Sequence, residues 1–197
     1  MRWSSFVGGV LVAAVLATAS CGGGSDERTR SRTTRPPKPD IRGVDFHNYP
    51  YSLSCGEPNQ TITVRDGVWE DPRGESYGAV RGVVVQYGDV TGDGAEDAVV
   101  EIACTFGAGS ALSNVLVYSV EDGSTTKVGQ LEGLKPSLDG AGQIVIWNTR
   151  SQPNEPRCCP SQFERAVYQY DGRIFVLTET TVHDAAEFEA VPWTTGE

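Results

Sequence analysis

The residues best suited to chemistry lie in one short stretch, YGDVTGDGAEDAVVEIAC, at positions 87–104. Oxygen-bearing groups recur there at every second position: Asp89, Thr91, Asp93, Ala95 through its carbonyl, and Asp97. Calcium takes about six to eight hard oxygen ligands, and a turning loop with this spacing aims alternate groups inward. Gly94 allows the sharp bend that such a loop requires. The spacing is therefore compatible with a weak calcium site over residues 89–97, with calcium as the candidate cofactor.

A simpler interpretation of the same stretch needs no metal. Asp and Thr side chains in a long hairpin loop often accept hydrogen bonds from their own backbone. An EF-hand is excluded, because the twelfth position of the loop is Val100 rather than Glu and the flanking segments have the pattern of strands. The calcium loop and the self-bonded hairpin both remain open at this point.

The elements that flank this loop are strands. Apolar β-branched runs such as VRGVVVQY, DAVVEIAC and SNVLVYSV alternate with turn signals, among them Asp66-Gly67, Asp122-Gly123 and Asp171-Gly172. Only TVHDAAEFEA, near the end, is a candidate helix, and no repeat of propeller or solenoid length occurs. Residues 43–197 are therefore expected to form a mainly β fold, a single antiparallel β domain built as a meander, a sandwich or a strongly curved sheet.

The first 42 residues predict export and anchoring. One cationic residue precedes the uncharged run Phe6–Ala19, which is shorter than the ~20 residues of a membrane span and suits a signal peptide, residues 1–20. The small residues 17–20 followed by Cys21 resemble a bacterial lipobox, although Thr18 stands where Leu is commoner. That resemblance implies lipidation of Cys21 and localisation on the extracytoplasmic face of the cell membrane. Residues 21–42, rich in Arg and Pro, are expected to be a disordered basic linker.

The charge of the chain restricts its partners. Residues 43–197 contain nine Lys/Arg against 23 Asp/Glu. Nucleic-acid-binding proteins need a basic patch, so an acidic domain of this kind argues against nucleic acid. The expected partners are the membrane, through the lipid anchor, and an envelope protein or glycan. We expect the domain itself to be a monomer.

Four cysteines remain after the lipidation position: Cys55, Cys104, Cys158 and Cys159. An even number in an exported chain predicts two disulfides, with three pairings available. A bond between the vicinal Cys158 and Cys159 would close a strained ring. We therefore favour two long-range bridges, in which Cys55 and Cys104 each bond one of the vicinal pair. A redox or zinc role is disfavoured, because the segment has no CxxC spacing and no nearby His.

Two resemblances to known families cover parts of this chain. The loop at 89–97 is similar to the D-x-[DNT]-x-D-G-x-x-D loop of FG-GAP and integrin-type repeats, which bind calcium between two strands. Those families stack several copies, whereas this chain has one. In order along the chain, VDFHNYPYSL-C, GDVTGDGAEDAVVEIAC and CCPS…VYQYDG resemble a group of exported actinobacterial proteins and lipoproteins. This second resemblance implies location and fold and transfers no catalytic residue.

A catalytic set is not evident in the sequence. The two histidines, His47 and His183, predict no triad, and no nucleophile-elbow motif occurs. Trp69 and Tyr77 border a polar loop and are the candidates for a ligand-binding surface. The favoured interpretation is a membrane-anchored binding or envelope-accessory protein that is not an enzyme. The alternative is a secreted hydrolase using scattered carboxylates, which two buried acids in one concave pocket would favour.

Overall fold

The computed structural model describes residues 40–107, 110–156 and 159–193. The signal segment, Cys21, the linker up to residue 39 and Cys158 lie outside the described residues. Two short 3₁₀ turns, Ile41–Gly43 and Phe46–Asn48, precede the strands. The strands of the described part are β1 Pro50–Cys55, β2 Glu57–Thr63, β3 Trp69–Glu70, β4 Ala79–Gly88, β5 Asp97–Phe106, β6 Ser110–Glu121, β7 Ser124–Glu132, β8 Leu134–Leu138, β9 Ile144–Arg150, β10 Gln162–Tyr170 and β11 Phe175–Asp184, followed by the helix α1 Ala185–Ala190.

The expectation of a mainly β fold is confirmed. All strand pairs are antiparallel, and they form a β1–β2 hairpin, a curled five-stranded sheet in the order β3-β4-β5-β6-β7, and a four-stranded sheet in the order β11-β10-β9-β8. Asp66–Gly67 and Asp122–Gly123 form the expected tight turns, with positive φ at all four residues. No helix among the described residues is long and apolar enough to cross a membrane.

The five-stranded sheet is covered on both faces, which explains why its central strand β5 is apolar at almost every position. Val100 and Ile102 point to one side, into a core shared with Leu53 and Ile62 of the β1–β2 hairpin. Because successive strand residues point to opposite faces, Val99 enters a second core. That second core lies between the two large sheets and contains Val90, Val115, Val117, Ile144 and Ile146.

The outer face of the four-stranded sheet is covered in part by α1. The rings of Phe163 and Phe188 stack with centroids 3.8 Å apart, and Trp147 lies 5.8 Å from Phe188. The helix begins at Ala185, after Asp184 accepts a hydrogen bond from the Glu187 amide at its N-cap. The candidate helix TVHDAAEFEA is therefore partly wrong, since its first residues continue β11. Pairing with β10 along the sheet decides this.

The favoured disulfide pairing is wrong for Cys55 and Cys104. These two residues bond each other, with Cα atoms 5.6 Å apart and a sequence separation of 49. The end of β1 lies over β5 in the first core, and both cysteines are fully buried there. Their partners were therefore fixed by the packing of the hairpin on the sheet, a contact that cysteine spacing does not encode. The disulfide role predicted for Cys158 and Cys159 involves a residue outside the described part and stays a prediction.

Candidate functional site

The loop between β4 and β5 is held together by its own carboxylates. Asp89 accepts hydrogen bonds from the amides of Gly92 and Asp93 through Oδ1, at 2.7 and 3.1 Å, and from Gly94 through Oδ2 at 2.9 Å. Asp93 Oδ1 accepts from the Ala95 amide at 2.8 Å. These bonds are those of the self-bonded hairpin, so the geometry of the loop does not by itself require a metal.

Asp97 joins this loop to the core. The side chain is fully buried, and its Oδ2 accepts from the amides of Val90 and Thr91 at 3.0 and 2.8 Å. Its other oxygen, Oδ1, and the Thr91 hydroxyl are buried and have no hydrogen-bond partner among the protein atoms of the described part. Because an unpaired buried oxygen costs free energy, these two atoms call for a water molecule or a cation.

The fit of these residues to calcium is partial. Within residues 40–107, 110–156 and 159–193, no group of three or more Asp, Glu, His or Cys side chains is arranged to hold a metal ion. A carboxylate oxygen has two lone pairs, however, so an amide bond to Asp89 does not exclude a cation on the same atom. The two orphaned oxygens fit a hard cation, whereas the carboxylates of the loop do not converge on one point.

The acidic loop also packs against a neighbouring turn. A Cβ atom at Gly142 would lie 2.7 Å from the Asp89 carbonyl oxygen, so only glycine permits the approach of the β8–β9 turn. Asp89, Val90 and Gly142 line two clefts. The larger, about 260 Å³, is lined by Gly88, Asp89, Val90, Leu138, Asp139, Gly140 and Gly142, and the smaller, about 70 Å³, by Asp89, Val90, Thr91, Gly92, Ala141, Gly142, Gln169 and Tyr170.

An ion pair fixes the far side of the loop to the start of the domain. Arg42 donates from Nε and Nη2 to the two carboxylate oxygens of Glu96 at 2.6 and 2.9 Å. The hydrogen bond from Arg42 lowers the pKa of Glu96 below its ordinary value. The guanidinium also lies 4.5 Å from the centre of the Tyr87 ring. Arg42 therefore compensates the negative charge of Glu96, and this carboxylate is already paired within the protein.

The aromatic candidates Trp69 and Tyr77 line neither of these two clefts, nor a third cleft of about 140 Å³ between β7 and the start of β11. Trp69 is half-buried and packs against the first core, while the exposed Tyr77 ring has the Arg73 guanidinium 4.5 Å from its centre. Arg73 in turn pairs with Asp71 at 2.9 Å and lowers the pKa of that carboxyl to about 2. The polar loop is thus organised around the Asp71–Arg73 pair.

The structure brings together a set of residues that the sequence did not indicate. The imidazole of His183 lies 2.8 Å from Thr181 Oγ1 through Nε2 and 2.8 Å from Glu187 Oε2 through Nδ1. A hydroxyl, an imidazole and a carboxylate in this order can activate a nucleophile. Thr181 and His183 belong to β11 and Glu187 to α1, so only the turn at Asp184 aligns them. The sequence signal that could have found this set is the two-residue spacing of Thr181 and His183, which puts both on one face of a strand, followed by the helix N-cap Asp184.

One buried acid lies between the two large sheets. Glu101 of β5 is 7% exposed, and its Oε1 accepts a hydrogen bond from Ser113 Oγ at 2.9 Å. Burial raises the pKa of Glu101 above its ordinary value, against the opposing effects of Ser113 and of the Lys135 backbone amide. None of the three clefts is lined by Glu101 or by Asp97. The arrangement that would favour a carboxylate hydrolase is not found in these clefts.

No protein-family model, no curated protein and no solved structure matches this chain.

Proposed function

We propose that this protein is a lipoprotein anchored through Cys21 on the extracytoplasmic face of the cell membrane, and that its β domain binds an envelope protein or glycan. The observation that carries the proposal is the buried Cys55–Cys104 disulfide. Disulfides form and persist in oxidising compartments outside the cytoplasm. The pairing therefore supports export independently of the signal-like segment and the cysteine that follows it.

The test of the anchor compares wild-type protein with Cys21→Ser in the native host. The wild-type chain is expected in the membrane fraction, released only by detergent, with acylated Cys21 as the first residue by mass spectrometry. The Cys21→Ser variant is expected to lose the acyl groups and the membrane association, whereas Ser25→Ala, a matched change in the linker, keeps both. An unacylated wild-type chain with reduced cysteines in the cytosol would contradict the proposal.

The binding role is supported by the acidic character of the domain, which has nine Lys/Arg against 23 Asp/Glu over residues 43–197. Chemical cross-linking on intact cells, followed by capture of the full-length protein, is the direct test. Recovery of a specific envelope protein or glycan is expected. A captured chain that carries neither partner would count against the role.

We also propose weak calcium binding by the loop at residues 89–97, with the ion stiffening the connection between β4 and β5. The support is the pair of buried oxygens without partners, Thr91 Oγ1 and Asp97 Oδ1. Binding requires the carboxylates of Asp89 and Asp93 to turn toward these atoms, because a calcium ion needs about six to eight oxygens. The loop would then exchange some of its internal hydrogen bonds for metal contacts.

A hydrolase is the second candidate, and the Thr181–His183–Glu187 arrangement is the observation that favours it. Glu187 would hold the His183 ring so that Nε2 could accept the Thr181 hydroxyl proton. None of the three described clefts is lined by these residues. These clefts therefore offer no substrate pocket and no oxyanion hole beside Thr181. A binding role is therefore the primary proposal.

A further inference from the structure

The free edge of the four-stranded sheet is formed by β11, which is long and exposed. Among the described residues this ten-residue strand pairs with β10 only, and it is exposed at seven consecutive positions, 176–182. It has no Lys, Arg, Pro or Gly. A strand edge presents unpaired amide and carbonyl groups, and soluble proteins usually block them with such residues.

The other edges of the two large sheets, β8, β3 and β7, have protective features that β11 lacks. The edge strand β8 has five residues, contains Pro136 and has Lys135 at φ 47°, and β3 has only two residues. On β7, the Lys127 ammonium donates to the Ser52 carbonyl of β1 at 3.0 Å. The pairing of β11 with β10 has one register irregularity, at Val167/Tyr168. Apart from this irregularity, β11 has none of the features that discourage pairing at the other edges. The contrast marks β11 as an edge kept available for pairing.

A groove lies beside this edge. Leu177 pairs with Tyr168 and Val182 with Glu164, which places both side chains on the face turned toward the five-stranded sheet. They are 48% and 46% exposed, so apolar surface is left open on this face of the strand. At the start of β11 a groove of about 140 Å³ opens toward β7, lined by Val128, Gly129, Gln130, Leu131, Ile174 and Phe175.

Charge decides which occupant fits this edge. Glu179 and Asp184 lie in β11 and Glu187 follows in α1. The strand itself has no Lys or Arg, the Arg165 guanidinium of β10 lies 3.7 Å from Glu179, and the whole chain has a net charge of −10. A second copy would bring these acids together, while a cationic segment would neutralise them. We propose that β11 accepts an extended segment of a partner protein as an added antiparallel or parallel strand, one that alternates apolar and cationic side chains. The inference rests on the proposed binding role and names its surface and partner class.

Each part of such a segment has a counterpart in the structure. Its backbone pairs with the free amides and carbonyls of β11, which supplies affinity without sequence preference. Its apolar side chains continue the row of Leu177 and Val182, and one of them enters the groove beside Phe175. Its cations lie near Glu179, on the opposite face from Leu177 and Val182, which speeds association and favours a cationic strand over an acidic one.

The test uses the full chain and an acetylated, amidated octapeptide of alternating valine and lysine, with a valine–glutamate octapeptide as reference. The valine–lysine peptide is expected to bind at least about tenfold more tightly, and to slow amide hydrogen exchange in residues 175–184 selectively. Leu177→Lys and Val182→Lys are each expected to weaken its binding about tenfold, since inward cations block edge pairing. Val68→Lys, at a site 43% exposed on another hairpin, is the matched control and should bind like wild type.

Several outcomes would overturn strand addition: no protection at β11, equal binding of both peptides, equal loss in the Val68→Lys control, or light scattering that shows self-pairing through β11. Failure of the broader role is distinguishable. An envelope partner captured equally well by Leu177→Lys and wild type would remove the β11 surface and leave the binding role standing. If the peptide protects β11 from exchange and no envelope partner is captured, the β11 surface stands and the envelope-binding role falls.

Discussion

The disulfide between Cys55 and Cys104 joins the end of the β1–β2 hairpin to the central strand of the five-stranded sheet. Both sulfur-bearing side chains are fully buried in the first core. The bond closes a sequence separation of 49 residues, so it restricts the unfolded chain over about a third of the β domain. The hairpin covers one face of the sheet, and the bond holds it there.

Replacing both cysteines with alanine, Cys55→Ala/Cys104→Ala, is expected to lower the free energy of unfolding by about 4 kcal/mol, the loop-closure value for a separation of this size. Urea unfolding followed by tryptophan fluorescence measures the change. The reductant-treated wild type should lose a similar amount. A double variant as stable as oxidised wild type would show that the bond does not restrain the hairpin.

The buried Glu101 predicts a loss of stability as pH rises. Burial raises its pKa in the folded state, so the folded protein favours the neutral carboxyl. This contribution is fully present below the unfolded pKa of about 4.3 and is lost as pH rises through the folded pKa. Glu101→Gln, which keeps an acceptor for Ser113 and has no charge to acquire, should lack this decline. The measurement is the free energy of unfolding of both proteins from about pH 4 to about pH 8. Parallel curves for wild type and Glu101→Gln would contradict a raised pKa for Glu101.

Asp97 is expected to be the most sensitive residue of the acidic loop. Asp97→Asn replaces a carboxylate that accepts two backbone hydrogen bonds, and it should cost roughly 2 kcal/mol of stability. Asp139→Asn, at an exposed carboxylate of the adjacent turn, should cost less, although Asp139 Oδ1 accepts from the Ala141 and Gln143 amides. Thermal unfolding of the three proteins side by side measures the difference.

Calcium binding gives the same three proteins a second readout. Millimolar calcium is expected to raise the melting temperature of wild type and of Asp139→Asn, and to leave that of Asp97→Asn unchanged. Titration calorimetry should give heat only for the first two. A wild-type melting temperature that neither calcium nor chelator moves would remove the calcium proposal and leave a self-bonded loop.

The hydrolase candidate makes a sharp kinetic prediction. Because no described cleft positions a substrate over Thr181, we expect wild type and His183→Ala to hydrolyse p-nitrophenyl acetate at the same background rate. A rate well above background that disappears in both His183→Ala and Thr181→Val, and that falls in Glu187→Gln, would place the hydrolase first. The variants' far-UV spectra control for loss of folding.

Local pattern was sufficient for much of the fold. The β-branched runs predicted β4, β5 and β6, because these strands are rich in side chains that suit a pleated, buried surface. The Asp-Gly pairs predicted two tight turns, because residues at positive φ are needed there. The edge strand β8 was missed: Pro136 and the positive φ of Lys135 break the local strand signal, and pairing with β9 alone defines it.

The sequence alone predicted an acidic, antiparallel β domain and a carboxylate-rich loop between two apolar strands. It also has an N-terminal segment that predicts export and an anchor. These features follow from composition and from short-range periodicity, and both can be recognised from residues that are neighbours in the sequence. Only the tertiary structure decided that Cys55 bonds Cys104, that His183 lies between Thr181 and Glu187, and that β11 is left at an open edge. The disulfide and the open edge depend on which distant strands lie side by side, and packing across the whole domain makes that choice. The His183 contacts depend on the turn at Asp184, where β11 ends and α1 begins.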